Sequence, residues 1–103
     1  MPESLDAQLR FAIANRRLIE VRYHGAPRVA EPHDYGVQRG IERLLVYQLR
    51  GPVRPSGPRA TGWRLLDTPK ICACIVLEDT FSGSRGQSHR HHFAWDVLYA
   101  RVT

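Results

Sequence analysis

The sequence predicts a mainly β fold in which one N-terminal helix precedes a small antiparallel barrel. Two observations support this fold class. A single capped helical segment stands at the start, and five or six short strand-like segments follow, separated by Gly- and Pro-rich turns. The 103 residues are enough for one domain, 1–103, with one modest hydrophobic core.

The helix is predicted over about residues 4–16. Ser4 suits the N-cap, and Asp6 places an acid in the first turn, where the helix dipole favours it. Apolar residues then recur at helical spacing, at Leu5, Leu9, Ala12 and Ile13. We expect this stripe to pack on the sheet.

A second apolar stripe lies on the opposite side of the helix and comprises Ala7, Phe11, Ala14 and Leu18. A small helix that rests on one sheet needs only one apolar stripe. The second stripe therefore either flanks the core or forms a contact surface for another copy of the chain. The alternative function is therefore a protein-protein interaction or oligomerisation module, in which the barrel and this stripe assemble with another copy of the chain or with a partner.

The strands are predicted from about residue 17 to the C-terminus. Residues 19–23 alternate between apolar and polar, as a half-buried strand does, and 24–27 read as the turn of a hairpin. The returning segment is predicted at 28–31, and residues 33–38 form a second segment that can also be extended. Pro32 between them donates no ladder hydrogen bond and is expected at an edge or bend.

The remaining strands are predicted at 43–50, 63–66, 70–77 and 97–102. A tight turn at 39–42 and two Gly-rich connections, 51–58 and 82–88, separate them. A short open sheet would expose its edges, and rolling it into an SH3-like or Sm-like barrel removes them.

Composition points to an acidic partner. The formal net charge is +5, and only Lys70 among the fifteen cations is a lysine. Arginine favours planar, two-point contact with phosphate or carboxylate, although a solvated basic surface or a GC-rich genome would give the same bias. No apolar run is long enough to span a bilayer and no secretory signal is visible, so we expect a cytoplasmic protein.

Seven basic and aromatic residues form the candidate ligand-binding group: Arg22, Tyr23, Arg28, His33, Tyr35, Arg43 and Arg64. Several fall on predicted neighbouring strands, and guanidinium and aromatic groups together suit phosphate contact and base stacking. The expected ligand is an anion, a nucleotide or single-stranded nucleic acid. The alternative places Tyr23 in the core and leaves Arg22 and Arg43 solvated.

The other reactive side chains favour neither metal nor catalysis. Cys72 and Cys74 form a C-x-C pair, which favours two small buried residues over a redox or metal role. His89-Arg90-His91-His92 matches no metal motif and is expected to be an exposed approach to the last strand. Because no nucleophile elbow, P-loop or paired-carboxylate pattern occurs, we predict a non-enzymatic protein without a cofactor or metal.

Several short motifs together resemble the WYL domain. They are Ala12-Ile13, Arg17, Ile19-x-Val21-x-Tyr23, Arg28, Glu31-Pro32, Leu44-Leu45-Val46-Tyr47 and Trp63-Arg64-Leu65. The resemblance implies an Sm-like or SH3-like barrel of the kind found behind a helix-turn-helix in bacterial transcription regulators. It also implies ligand sensing, including nucleotides and single-stranded nucleic acid, by Tyr23, Arg28, Pro32 and Arg64.

Two departures distinguish this chain from the family pattern. Arg43-Leu44-Leu45 stands where the family has Trp-Tyr-Leu, and Leu65-Leu66-Asp67-Thr68-Pro69 replaces the usual continuation after the arginine. No helix-turn-helix fits before residue 18, so a divergent, stand-alone member is expected.

Overall fold

A six-stranded antiparallel sheet with one N-terminal helix forms the structure, a computed structural model that describes residues 3–52, 60–85 and 94–103. The elements in chain order are α1 Leu5–Ala14, β1 Arg17–Tyr23, β2 Ala26–Gln38, β3 Ile41–Arg50, β4 Gly62–Asp67, a 3-10 turn Thr68–Lys70, β5 Ile71–Thr80 and β6 Val97–Arg101. The predicted fold class, mainly β with one N-terminal helix, is confirmed. Within the described ranges no helix is long and apolar enough to cross a membrane.

The sheet is strongly curled. Its strand order is β4-β3-β2-β1-β5, so β4 and β5 lie at opposite ends of this path. Only the three residues of the 3-10 turn Thr68–Lys70 connect them. Such a short connection requires the two ends of the sheet to approach each other, which gives the sheet its barrel-like form.

Strand β2 changes neighbours along its length. Its first half pairs with β1 as far as Ala30, and its second half pairs with β6 from Asp34 onward. Pro32 lies between the two pairings, beside a register shift against β3. The expectation that Pro32 sits at a bend is confirmed, but β2 is one continuous strand of 13 residues instead of two segments.

Two hairpins close with the same two-residue turn. His24-Gly25 joins β1 to β2, with φ of 51° at His24 and 76° at Gly25. Arg39-Gly40 joins β2 to β3, with φ of 52° at Arg39 and 77° at Gly40. Both residues of each turn are left-handed, the backbone that matches the twist of antiparallel strands and that favours glycine at the second position. The first turn is therefore shorter than the predicted 24–27.

The helix follows its sequence signals at its start and ends earlier than predicted. The Ser4 hydroxyl accepts a hydrogen bond from Ala7 N–H, as an N-cap does. Helix α1 stops at Ala14 because Asn15 caps it and Arg16 takes a positive φ of 53°. Leu18 consequently lies on β1 and is buried, so its assignment to the second helix stripe is wrong.

The core fills the concave side of the curled sheet, which we call the inner face, and α1 covers part of it. The helix contributes Leu9, Ala12 and Ile13, and the sheet contributes Ile19, Val21, Ala30, Tyr35, Leu44, Val46 and Leu66. The opposite side of β2, β3 and β4 is called the outer face. Alternation along each strand decides which residues lie on which face.

Strand β5 contains a register shift that sets which of its residues point inward. A register shift against β1 leaves Cys72 opposite no single partner, so Cys74 and Val76 pack on the core while Ile75 is 56% exposed. Cys72 is exposed and Cys74 half-buried, which corrects the expectation that both are buried. Burial raises the pKa of the Cys74 thiol to about 11.

Candidate anion-binding site on the inner face

The structure distributes the seven predicted ligand residues over both faces of the sheet. Tyr23, Arg28 and Arg64 lie on the inner face, whereas Arg22, His33 and Arg43 point to the outer side and Tyr35 is buried below α1. The seven therefore do not form one pocket. The inner group is the part that the fold brings together.

Arg28 is held by Gln48 of the neighbouring strand. Its Nη1 donates to Gln48 Oε1 at 3.1 Å, and its Nη2 donates to the Tyr23 carbonyl at 3.5 Å. The guanidinium carbon also lies 5.5 Å from the centre of the Tyr23 ring. These three contacts fix the orientation of the Arg28 guanidinium.

Gln48 is itself buried and fixed at both ends of its amide. While Oε1 accepts from Arg28, Nε2 donates to the carbonyl of Ala60 at 2.6 Å. A buried amide needs such partners, because an unsatisfied one costs about 1–3 kcal/mol. Gln48 thus links Arg28 to the backbone that leads into β4.

Arg64 lies on the other side of Gln48. It is on β4, two residues after Gly62, and Gly62 is the register partner of Gln48. The Arg64 side chain turns back along its own strand, since its Nη1 donates to the Trp63 carbonyl at 2.9 Å and lies 3.1 Å from where a Cβ at Gly62 would be. Gly62 leaves the space that this guanidinium occupies.

The register places Arg28 and Arg64 on one face. Ala30, Gln48 and Gly62 pair with one another across β2, β3 and β4. Arg28 lies two residues before Ala30 and Arg64 lies two residues after Gly62, so both arginines share the face of this row. Both side chains are half-buried, so each has a partly exposed surface. We call Arg28, Gln48, Gly62 and Arg64 the arginine site.

Tyr23 completes the inner group from β1. Its ring is buried, and its hydroxyl accepts the main-chain N–H of Asp67 at 3.1 Å. The Tyr23 hydroxyl therefore lies in the core, and Tyr23 contributes only the face of its ring to the arginine site. The alternative that Tyr23 is a core residue is therefore correct.

Two of the predicted arginines point away from this site. Arg22 is exposed and donates to the Gly25 carbonyl in its own hairpin turn. Arg43 lies on the outer face with its Nε 3.1 Å from Asp67 Oδ1, and its Nη1 donates to Gln38 at 2.8 Å. An ion pair already occupies the Arg43 guanidinium.

Tyr35 is tied to the helix instead of to a ligand. It is almost fully buried, and its hydroxyl donates to Asp6 Oδ1 at 2.8 Å. Burial, followed by the hydrogen bond to Asp6, raises the pKa of the Tyr35 phenol well above its ordinary value. This contact anchors the first turn of α1 on β2.

His33 belongs to a second group, on the outer face, which we call the Glu31 cluster: Glu31, His33, Tyr47, Trp63 and Arg85. His33 Nε2 lies 3.0 Å from Glu31 Oε1, and Arg85 grips the same carboxylate with two hydrogen bonds of 2.8 and 2.9 Å. Burial opposes the charge of Glu31, but the hydrogen bonds from Arg85 and His33 prevail and lower the pKa of its carboxyl. Burial also lowers the pKa of His33.

Sequence reasoning missed Gln48, Glu31 and Arg85 as site residues. The sequence did contain an indication of Gln48. It is the next residue after Leu44 and Val46 on the same side of its strand, and a polar side chain at such an apolar position needs a partner. Arg85 gave none, since its partner Glu31 is 54 residues away. Only the folded chain brings these two together.

Metal ligation finds no support in the parts of the chain that the structure covers. Among residues 3–52, 60–85 and 94–103, no group of three or more His, Cys, Asp or Glu side chains could hold an ion. The histidine run His89–His92 lies outside the described residues. The Cys72 and Cys74 thiols are free.

Comparisons of the chain with protein-family models, with curated proteins and with solved structures found no match.

Proposed function

We propose that this chain is a non-enzymatic regulatory module that binds an anionic ligand, a nucleotide or single-stranded nucleic acid, at the arginine site. One observation carries the proposal: Arg28 and Arg64 stand on the same face of the sheet, on either side of Gln48 and Gly62. Guanidiniums on one face offer phosphate groups the planar, paired donors that they bind best.

The overall charge of the chain supports an anionic ligand. The net charge of +5 attracts anions to the protein. Arg28 is half-buried, and its guanidinium lies beside the Tyr23 ring. The resemblance to the WYL domain, in which the matching arginines serve ligand sensing, favours the same assignment.

The proposal is tested by fluorescence anisotropy with a labelled single-stranded oligonucleotide and a panel of nucleotides. Arg28→Ala and Arg64→Ala should each weaken binding, whereas Arg22→Ala, which removes the same charge from the other side of β1, should leave it nearly unchanged. Affinity should fall as salt is raised, because phosphate contacts release counterions. No binding across the panel, or equal losses in all three variants, would refute the proposal.

A second candidate function is self-association through α1 and β5. Phe11 is 46% exposed, and it lines, together with exposed Ile75, a cavity of about 420 Å³ between the helix and the strand. Ala7 and Ala14 on the same helix are exposed as well, as the second stripe predicts. Exposed apolar groups of this kind favour a contact with another copy of the chain.

Sedimentation velocity distinguishes this candidate. Phe11→Glu should convert an oligomer to a monomer, and Val97→Glu, at an exposed apolar position on β6, is the matched control. A chain that is monomeric before and after the Phe11 substitution has no such interface.

A further inference from the structure

The Glu31 cluster recognises a guanidinium in a way that is independent of the arginine site. Arg85 Nε lies 2.8 Å from Glu31 Oε1, and Arg85 Nη2 lies 2.9 Å from Glu31 Oε2. The Arg85 guanidinium carbon also lies 3.6 Å from the centre of the Tyr47 ring. One guanidinium thus receives a two-point carboxylate contact along its edge and an aromatic ring on its face.

The groups that surround Arg85 belong to the sheet. Glu31 and His33 are on β2, Tyr47 is on β3 and Trp63 is on β4, with Glu31 paired to Tyr47 and Tyr47 paired to Trp63 in the ladder. The Glu31 side chain is only 8% exposed, and His33 fixes its Oε1. The acceptor site is therefore built by rigid strands and does not depend on Arg85 for its position.

The occupant comes from outside the sheet. Arg85 follows β5 in the connection to β6, and its side chain is 33% exposed. The described part of this connection is fixed by two backbone hydrogen bonds, from Phe81 N–H to Arg16 and from Ser84 N–H to Thr103. A rotation of the Arg85 side chain alone could therefore vacate the site while the backbone stays in place.

An opening beside the site gives access to Glu31. A shallow cavity of about 240 Å³ is lined by Glu31 and by residues Ser82–Arg85. Among the described residues that line this cavity, Glu31 is the one that belongs to the sheet. An arginine side chain that entered here would reach the same oxygens as Arg85.

We propose that Glu31, His33, Tyr47 and Trp63 form a binding site for an arginine side chain of a partner polypeptide, which the chain's own Arg85 occupies in its absence. Arginine is favoured over lysine because only a planar guanidinium can make both carboxylate contacts while stacking on Tyr47. Arg85 acts as a competitor on the same chain, and its high effective concentration lowers the apparent affinity for the incoming arginine.

A second arginine pair in the same sheet provides a matched control. Arg101 grips Asp34 with the same two-point geometry, at 3.0 and 3.1 Å. Its side chain is 55% exposed, however, and among the described residues it has no aromatic ring against its face. Removing Arg101 thus leaves a carboxylate without the stacking surface that defines the proposed site.

The test is chemical rescue with ethylguanidinium chloride. Arg85→Ala should lower the melting temperature, and millimolar ethylguanidinium should restore part of the loss, whereas ethylammonium should not. Arg101→Ala should show no rescue, and adding Glu31→Gln to Arg85→Ala should abolish it. Equal responses of Arg85→Ala and Arg101→Ala, or rescue by ethylammonium as well, would overturn the proposal.

A measurement on the unaltered chain covers the case in which Arg85→Ala does not fold. Titration of the ¹⁵N-labelled protein with a Gly-Arg-Gly peptide should shift the Nε–H signal of Arg85 as it leaves Glu31, while the Arg101 signal stays in place. A Gly-Lys-Gly peptide should have no effect. For a folded Arg85→Ala chain the Gly-Arg-Gly affinity should rise about tenfold, because the internal competitor is gone. An unmoved Arg85 signal at saturating peptide would overturn the proposal.

Discussion

The hydroxyl of Tyr23 accepts the main-chain N–H of Asp67 at 3.1 Å, although their strands, β1 and β4, are separated in the sheet by β2 and β3. The contact spans the interior of the curled sheet. It joins β4 to β1, the neighbour of β5, and so reinforces the approach of the two ends of the sheet that the 3-10 turn Thr68–Lys70 makes between β4 and β5. Curvature of the sheet, and with it the position of Arg28 and Arg64, depends partly on this one phenol.

Tyr23→Phe tests that dependence. The substitution leaves the Asp67 N–H without its acceptor, so the free energy of unfolding should fall by about 1–2 kcal/mol. Urea denaturation followed by circular dichroism measures the change. Tyr99→Phe is the control, because the Tyr99 hydroxyl donates to Glu42 at the exposed surface and its loss should cost little. Equal costs for the two variants would contradict the interior role of Tyr23.

Gln48→Leu should affect both stability and binding. It leaves the Ala60 carbonyl and Arg28 without the buried amide, at a cost of about 1–3 kcal/mol. It also frees Arg28 from its fixed orientation, so the affinity for an oligonucleotide should drop. Gln38→Leu, which removes one of the two partners of Arg43 on the outer face, should reduce stability and leave the affinity unchanged. A parallel loss of affinity in the two variants would argue against a positioning role for Gln48.

Gly62→Ala combines strain with crowding at the arginine site. Gly62 has a φ of 138°, which L side chains rarely adopt, and a methyl group there would stand 3.1 Å from Arg64 Nη1. We expect a loss of about 1–2 kcal/mol and weaker ligand binding. Gly40→Ala at a φ of 77°, with nothing within 4 Å of the new methyl group, carries the strain alone. Thermal melts and anisotropy on both variants separate the two effects.

Acidification should lower the free energy of unfolding, and His33 is the group that causes the decrease. Its pKa is lowered by burial, so the unfolded chain binds the proton more tightly than the folded one. Stability is therefore full above the ordinary value of 6.5 and decreases as the pH falls below it. The lowered pKa of Glu31 adds a further loss below its ordinary value of 4.5.

Chemical denaturation between pH 5.5 and pH 8 measures this dependence. His33→Gln, which keeps a donor for Glu31 without titrating, should flatten the curve between pH 5.5 and 6.5. A curve that keeps its slope in this variant would assign the effect to another group.

Local sequence patterns were sufficient for most of the fold. Ser4 marked the helix start, and the alternation of apolar and polar residues marked β1. The Arg39-Gly40 turn was recognised as well, because a non-glycine residue followed by glycine suits a two-residue hairpin. Leu18 and Cys72 were misplaced because a helix end at Asn15 and a register shift in β5 are decided by contacts with the rest of the sheet.

The candidate site was only partly predictable. Arg28 and Arg64 were identified from residue type and resemblance, yet their placement around Gln48 depends on the register of three strands. His33 and Tyr35 looked like ligand residues because they are close to Arg28 in sequence. In the folded chain His33 contacts Glu31, two residues away, and Tyr35 contacts Asp6 on the helix, 29 residues away. Only the second contact lies beyond the reach of a local sequence pattern.

The central claim, that Arg28 and Arg64 act on one ligand together, is tested most directly by a double-mutant cycle of oligonucleotide affinity. If both guanidiniums contact the same phosphate, Arg28→Ala and Arg64→Ala should be non-additive, with a coupling of about 0.5–3 kcal/mol. The cycle of Arg28→Ala with Arg22→Ala should be additive within about 0.5 kcal/mol, since Arg22 lies on the other side of the sheet. Additive losses for Arg28 and Arg64 would contradict a shared site.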